Sequence, residues 1–139
     1  MYYIIAAHGS YAEGCKSGCE MVTGDTSSFI PVAFTEDMTK EDVEKKYEKI
    51  LAERGADECR AIIADLPGGT PYNAAMRITA EHKNISLVAG LSQQLLILLN
   101  AGETLAEAIA QTGELYGTPA ARKEKKEAQP PKDPTDKNG

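Results

Sequence analysis

Residues 2–10 read YYIIAAHGS, an apolar run that stops at a histidine and is followed at once by Gly-Ser. Residues 2–7 have the unbroken apolar character of a strand covered on both faces. Ser10-Tyr11-Ala12-Glu13 then has the capping-box form, a hydroxyl followed three residues later by a carboxylate. Ala12, Cys15, Cys19 and Val22 recur at helical spacing, and Gly24 ends that helix. His8 therefore falls at the joint where a buried strand gives way to a helix.

The alternation continues down the chain. Residues 28–34 (SFIPVAF) read as a second strand, and Pro31, which lacks an N–H, places it at a sheet edge. Thr39 and Asp42 open a second helix with Val43, Tyr47, Ile50 and Leu51 on one face, closed by Gly55. Residues 59–65 (CRAIIAD) form a third strand. Gly68-Gly69 makes a turn, with Thr70 as N-cap and Pro71 as first residue of a helix running to about His82. Residues 85–89 (ISLVA) form a fourth strand, and Ser92 and Thr104 open helices over 92–101 and 104–116. Apolar strands alternating with helices predict an α/β fold, an open doubly wound parallel sheet with helices on both faces. One domain is expected over residues 1–117. Residues 118–139 are charged, proline-containing and without apolar periodicity, and are expected to be a disordered tail or linker.

Composition removes several classes of function. The net charge of −6 argues against nucleic acid and against anionic membrane surfaces, both of which want a basic face. The longest large-apolar run, Leu95 to Leu99, is far too short to span a bilayer and reads as core or interface. The start of the chain lacks the basic residues of a signal peptide, so a cytoplasmic protein is expected. Three cysteines, an odd number, argue against a disulfide scaffold. Cys15-x-x-x-Cys19 is not a usual zinc spacing, and packed, reduced thiols are the expectation. No GxxxxGK[ST] motif is present, which argues against P-loop nucleotide binding.

In an open α/β sheet, ligands bind beyond the carboxyl ends of the strands where strand order reverses. With the order 2-1-3-4, that crevice lies between strands one and three. His8 then stands just past one strand and Asp65 ends the other. A carboxylate beside an imidazole fixes the tautomer and stabilises an imidazolium, leaving the second ring nitrogen as a nucleophile suited to phosphoryl transfer. Two helix N-termini open on the same edge, at Gly9-Ser10 and at Gly68-Gly69-Thr70, and their N–H groups suit an anion. Each of these features alone has an ordinary structural explanation, such as a strand end or a good helix entry. Their convergence on one edge carries the functional reading. Tyr72 and Asn73 either rim the site or pack, Glu13 reads as a capping residue, and His82 as a surface residue near a helix end.

AAHGSYAEGCKSGCEMVTGD (residues 6–25) followed by DLPGGTPYNAA (residues 65–75) resembles the mannose-family enzyme IIA component of the bacterial phosphoenolpyruvate-dependent sugar phosphotransferase system. The resemblance runs from residue 1 to about 116. It implies the 2-1-3-4 sheet, with His8 as the phosphorylated histidine, Asp65 as its orienting acid and Thr70 as a hydroxyl close to it. It also implies a phosphoryl group taken from the phosphocarrier HPr and passed to a IIB component, with indirect association with membrane sugar permease components. A homodimer is implied, and neither metal nor nucleotide cofactor is needed. Two features depart from the family's pattern: the chain reads GLSQQ at 90–94 where an Asn-x-Pro segment is frequent, and no fifth strand is legible after Gly117. The same domain type serves in dihydroxyacetone kinase systems, where extra HPr-like domains are frequent; none is legible within residues 1–139, so the sugar system is the leading expectation. A non-catalytic regulatory module, tolerant of losing His8, and a small-molecule hydrolase, which would need a second acid near His8, are the other readings.

Overall fold

The computed structural model describes residues 1–117; the segment 118–139, expected above to be a tail, lies outside the described residues. Four strands, β1 (Tyr2–His8), β2 (Phe29–Phe34), β3 (Cys59–Ala64) and β4 (Ser86–Ala89), form one sheet in the order β2-β1-β3-β4. All three pairings are parallel. Between and after the strands run α1 (Tyr11–Thr23), α2 (Lys40–Arg54), α3 (Thr70–Glu81), α4 (Gln93–Asn100) and α5 (Leu105–Glu114), with a short 3-10 turn at Ala56–Glu58. The open, doubly wound α/β architecture is the one expected. Pro31 sits in the edge strand opposite Ile5, where the missing N–H interrupts no interior ladder.

The two periodicities divide the core in two. Along the strands Ile4, Ala6 and Ile62 face one side, joining Val43, Tyr47 and Leu51 of α2 and Ala74, Ala75 and Ile78 of α3. Ile5, Ala7, Ala61 and Ile63 face the other, against Ala12, Cys15 and Cys19 of α1, Leu95, Leu96 and Leu99 of α4 and Ala108 of α5. Both faces are covered, which is why the strands read as continuous apolar runs. All three cysteines are free and buried, as the odd count predicted. Burial pushes the Cys59 thiol up to about 11, so it packs as a neutral thiol.

The helix starts differ in detail from the sequence reading. Thr39 with Asp42 and Thr104 with Glu107 form complete capping boxes, and the Ser92 hydroxyl accepts from the Leu95 N–H. The Ser10–Glu13 capping box does not form. Gly9 turns the chain at φ +59, and Ser10 then sits at ψ 12 instead of in the extended conformation a cap requires. At α3 the N-cap is Gly69, extended at φ −75 and ψ 167, so Thr70 and Pro71 are the first two helical residues.

The central strands carry the stability. Ile62 is fully buried, and Ile62→Ala is expected to cost about 3 kcal/mol through lost transfer energy and a cavity. Val22→Ala on the exposed end of α1 should stay within about 0.5 kcal/mol. Urea denaturation of the two variants checks the contrast.

Candidate active site

The chain leaves β1 at its last residue, His8, and leaves β3 one residue before Asp65. Parallel pairing of these neighbouring strands brings the two residues to the same carboxyl edge, at the point where strand order reverses. The Asp65 carboxylate meets His8 twice. Its Oδ2 accepts from the His8 backbone N–H at 3.0 Å and lies 2.8 Å from His8 Nδ1. The other oxygen, Oδ1, accepts from the Leu66 N–H at 2.9 Å. Burial alone would push the Asp65 carboxyl up, but these bonds from His8 and Leu66 outweigh it and hold the group below the ordinary carboxylate range. An ionised carboxylate only accepts hydrogen bonds, so Nδ1 carries the imidazole proton and Nε2 carries the lone pair.

Exposure completes the division of labour. The His8 side chain is 45% exposed and that of Asp65 only 10%. Nε2 is thus open to a partner while the carboxylate is shielded from competing water. The ring is also held from its flanks. Phe34, paired with His8 across the β1–β2 register, sets its ring edge-on at 5.4 Å between centroids. On another side lies Gly69, where a side chain would begin 3.0 Å from His8 Cε1. His8, Gly9, Phe34, Thr35 and Glu36 line an open depression of about 450 Å³. A cleft of about 340 Å³ at the opposite edge of the sheet, around Met1, Tyr3, Arg60 and Glu103, contains no histidine.

The expected anion cradle is present in part. Gly9 and Gly68 adopt φ +59 and φ +79, conformations that admit glycine and few other residues. The Gly9 N–H, however, already donates to Phe34 O at 2.9 Å, and the Gly69 N–H to Leu66 O at 3.2 Å. These two glycines therefore contribute shape and close approach instead of free donors. Among the described residues no partner occupies the N–H groups of Ser10, Gly68 or Thr70, or the Thr70 hydroxyl. The first turn of α3 leaves its N–H groups unpaired in any case. Asn73 donates from its side-chain amide to Gly68 O at 3.0 Å and so braces the turn. Among the described residues no group of three His, Cys, Asp or Glu side chains is arranged to hold a metal ion. Among the described residues no helix is long and apolar enough to cross a membrane.

Phe34, the Leu66 N–H and Tyr47 belong to the site's surroundings and were not singled out in the sequence. Phe34 could have been found, since both β1 and β2 end at the same edge. Tyr47, which donates its hydroxyl to Pro71 O at 2.7 Å from full burial, reads in sequence only as one more core residue of α2.

The geometry defines a class: a parallel α/β domain with an exposed imidazole, backed by a largely shielded carboxylate, at the carboxyl edge of its sheet. The family model described as "PTS system fructose IIA component", EIIA-man, matches residues 2–114, and the chain belongs to this mannose-type EIIA family of the phosphotransferase system. It is 33% identical over 99 residues to the sorbose-specific EIIA component of Lacticaseibacillus casei, covering 70% of each chain. It is 30% identical over 104 residues to the fructose-specific EIIA component of Bacillus subtilis (strain 168), covering 74% of this chain and 71% of that one. Among solved structures, the mannose/sorbose specific IIA subunit from Enterococcus faecalis superposes with a TM-score of 0.77 at 25% identity, covering 84% of this chain and 92% of that one.

Two outcomes test the geometry. Gly69→Ala suits the backbone but places a methyl against His8 Cε1, and is expected to shift the His8 ring resonances in an NMR spectrum while the fold persists. The lowered pKa of Asp65 gives a stability contribution that is present above the unfolded carboxylate value of about 3.9 and is lost as pH falls through the lower folded value. Wild-type melting temperature should therefore fall more steeply than that of Asp65→Asn between about pH 4 and pH 2. Parallel slopes would count against the ionised pair.

Proposed function

We propose that this chain is a phosphocarrier that accepts a phosphoryl group on His8 from phospho-HPr and passes it to a IIB component for sugar uptake. The observation that carries this reading is an exposed imidazole whose Nδ1 is tied to a largely shielded carboxylate held below the ordinary range, which leaves Nε2 free to react. EIIA components of this family are phosphotransferases, and the relatives named above are components of sugar systems, which supports the sugar route over a dihydroxyacetone route.

The chemistry follows from the pair. The Nε2 lone pair attacks the phosphorus of the donor's phosphohistidine in line with its P–N bond. That bond breaks, and its electrons return to the donor imidazole. His8 gains one positive charge as the new P–N bond forms, and Asp65 Oδ2 at 2.8 Å from Nδ1 balances it. The charge must not be balanced too well, because the phosphoryl group has to leave again. When the acceptor on IIB attacks the same phosphorus from the opposite side, the P–N electrons fall back onto Nε2 and the neutral imidazole is restored, its proton still on Nδ1. Neither step asks for a metal or a nucleotide. The backbone N–H groups of Ser10, Gly68 and Thr70, with the Thr70 hydroxyl and the close approach that Gly9 and Gly69 permit, form the cradle for the transferring group.

The same reading makes residues 1–117 the phosphotransferase domain and 118–139 a linker or free end. It places the protein in the cytoplasm as a homodimer, in indirect association with membrane permease components.

Mixing the protein with phosphoenolpyruvate, enzyme I and HPr tests the proposal. Intact mass should show one added phosphoryl group on the wild type, labile in acid and stable in base, and none on His8→Ala. Asp65→Asn should slow transfer about 100-fold, because an amide can neither fix the tautomer by accepting alone nor balance the imidazolium. No phosphorylation of the wild type by demonstrably charged HPr would overturn the reading.

A further inference from the structure

The face of the sheet covered by α2 and α3 carries two links between those helices. The outer one is ionic: Arg77 of α3 pairs with Glu44 of α2 at 3.2 Å and with Glu48, and along its own helix with Glu81 at 3.0 Å. The inner one is a single hydrogen bond, from the fully buried Tyr47 hydroxyl to Pro71 O at 2.7 Å. The two links act at different places on α3. Arg77 lies in its second half, solvent-exposed. Pro71 is its second residue, adjoining the Gly68–Thr70 turn that flanks His8.

A buried tyrosine hydroxyl must find some acceptor. The choice of acceptor is what matters here. Pro71 O lies in the first turn of α3, where the helix ladder directs it at Ala75, so the Tyr47 hydroxyl is a second donor to that carbonyl. The tyrosine belongs to the same buried core cluster as Ile4 and Ala6 of β1, Ile62 of β3 and Ala74 of α3. Its hydroxyl also lies close enough to Asp65 for that carboxylate's charge to add to burial in raising the phenol. Tyr47 thus spans the distance between the strands that carry His8 and Asp65 and the helix start that carries the cradle. Gly69 brings the turn close to His8: a Cβ placed there would lie 3.0 Å from His8 Cε1, so only the missing side chain lets the backbone stand this near the ring.

We propose that Tyr47 is a positioning residue for phosphoryl transfer: through its hydrogen bond to Pro71 O it sets how close the Gly68–Thr70 turn stands to His8. The assignment rests on the phosphocarrier reading of His8. Tyr47 does not touch the reacting atoms and acts only through the backbone of α3.

The test uses the full chain with Tyr47→Phe, which keeps the ring in the core and removes one oxygen. Arg77→Gln, which breaks the outer link, serves as the control for simple destabilisation. Transfer from phospho-HPr is measured by rapid quench, together with melting temperature and the ¹H–¹⁵N spectrum. Tyr47→Phe is expected to lower the transfer rate at saturating phospho-HPr about tenfold, short of the roughly hundredfold loss that a full ångström of misplacement can bring. The half-saturating concentration of phospho-HPr should stay unchanged, and the Gly69 and Thr70 amide resonances should move. Arg77→Gln should lower the melting temperature yet keep the wild-type rate and leave those two resonances in place. Wild-type transfer by Tyr47→Phe overturns the proposal, and so does a loss of rate that tracks melting temperature in both variants. If the wild type accepts no phosphoryl group from charged HPr, the phosphocarrier reading fails by itself. Unmoved Gly69 and Thr70 resonances in Tyr47→Phe would then reject the positioning role as well.

Discussion

One carboxylate holds the site together. Asp65 Oδ2 accepts from both the backbone and the ring of His8, and Oδ1 accepts from the next residue in its own chain. The bond to the His8 N–H fixes where β1 ends relative to β3. The bond to Nδ1 fixes the ring's tautomer and leaves Nε2 facing outward. A single anionic group therefore joins the fold to the chemistry. Hydrogen bonds to charged groups are among the stronger ones available to a protein, at about 1.5–3 kcal/mol each. Their strength here depends on the carboxylate being shielded while the imidazole is not.

The surrounding fold supplies rigidity at that edge. His8 ends an interior strand, with β2 on one side and β3 on the other. Phe34 at the end of β2 and Asp65 after β3 therefore bracket it from the two directions in which the sheet extends. Above and below, the chain must turn sharply into α1 and α3, and glycines at 9 and 68 take the positive φ angles that make those turns possible. Two tyrosines bind the helix starts to the rest of the molecule. Tyr11 ties the first turn of α1 to Leu91 O at 2.8 Å, and Tyr47 ties the first turn of α3 to the core. The site is exposed to partners yet built on the two interior strands of the sheet.

Most of the architecture is legible in the sequence pattern. Apolar strands of four to seven residues alternating with amphipathic helices leave few options besides a covered parallel sheet. Pro31 placed β2 at an edge because a missing N–H is tolerable only there. Structure and pattern differ at helix ends: Val22, at helical spacing with Cys15 and Cys19, is exposed at the close of α1, and two helix starts are capped differently from the pattern. Ser10 with Glu13 has the letters of a capping box, but the turn forced by Gly9 denies Ser10 the backbone angles of a cap. Thr70 gave up the cap to Gly69 for a related reason: the glycine pair, not the threonine, makes the extended entry into α3. Local patterns name the residues able to cap, and the path of the chain decides which of them does.

His8 and Asp65 were visible as chemistry-bearing residues at strand ends, and the two motifs around them indicated the family. What the sequence determined was therefore the inventory: periodicity, turn positions, and which side chains can hold or move a proton. Only the tertiary structure decided the allocation. It assigned the Gly9 and Gly69 N–H groups to Phe34 and Leu66, and left the Thr70 hydroxyl unbonded among the described residues. It also drew Tyr47, an ordinary core residue by pattern, to a helix carbonyl beside the site. The physical reason is that hydrogen bonds are satisfied by whatever lies within 3 Å or so in space, and nearness in space between residues 24 or 57 positions apart is a property of the packed sheet, not of any local run of residues.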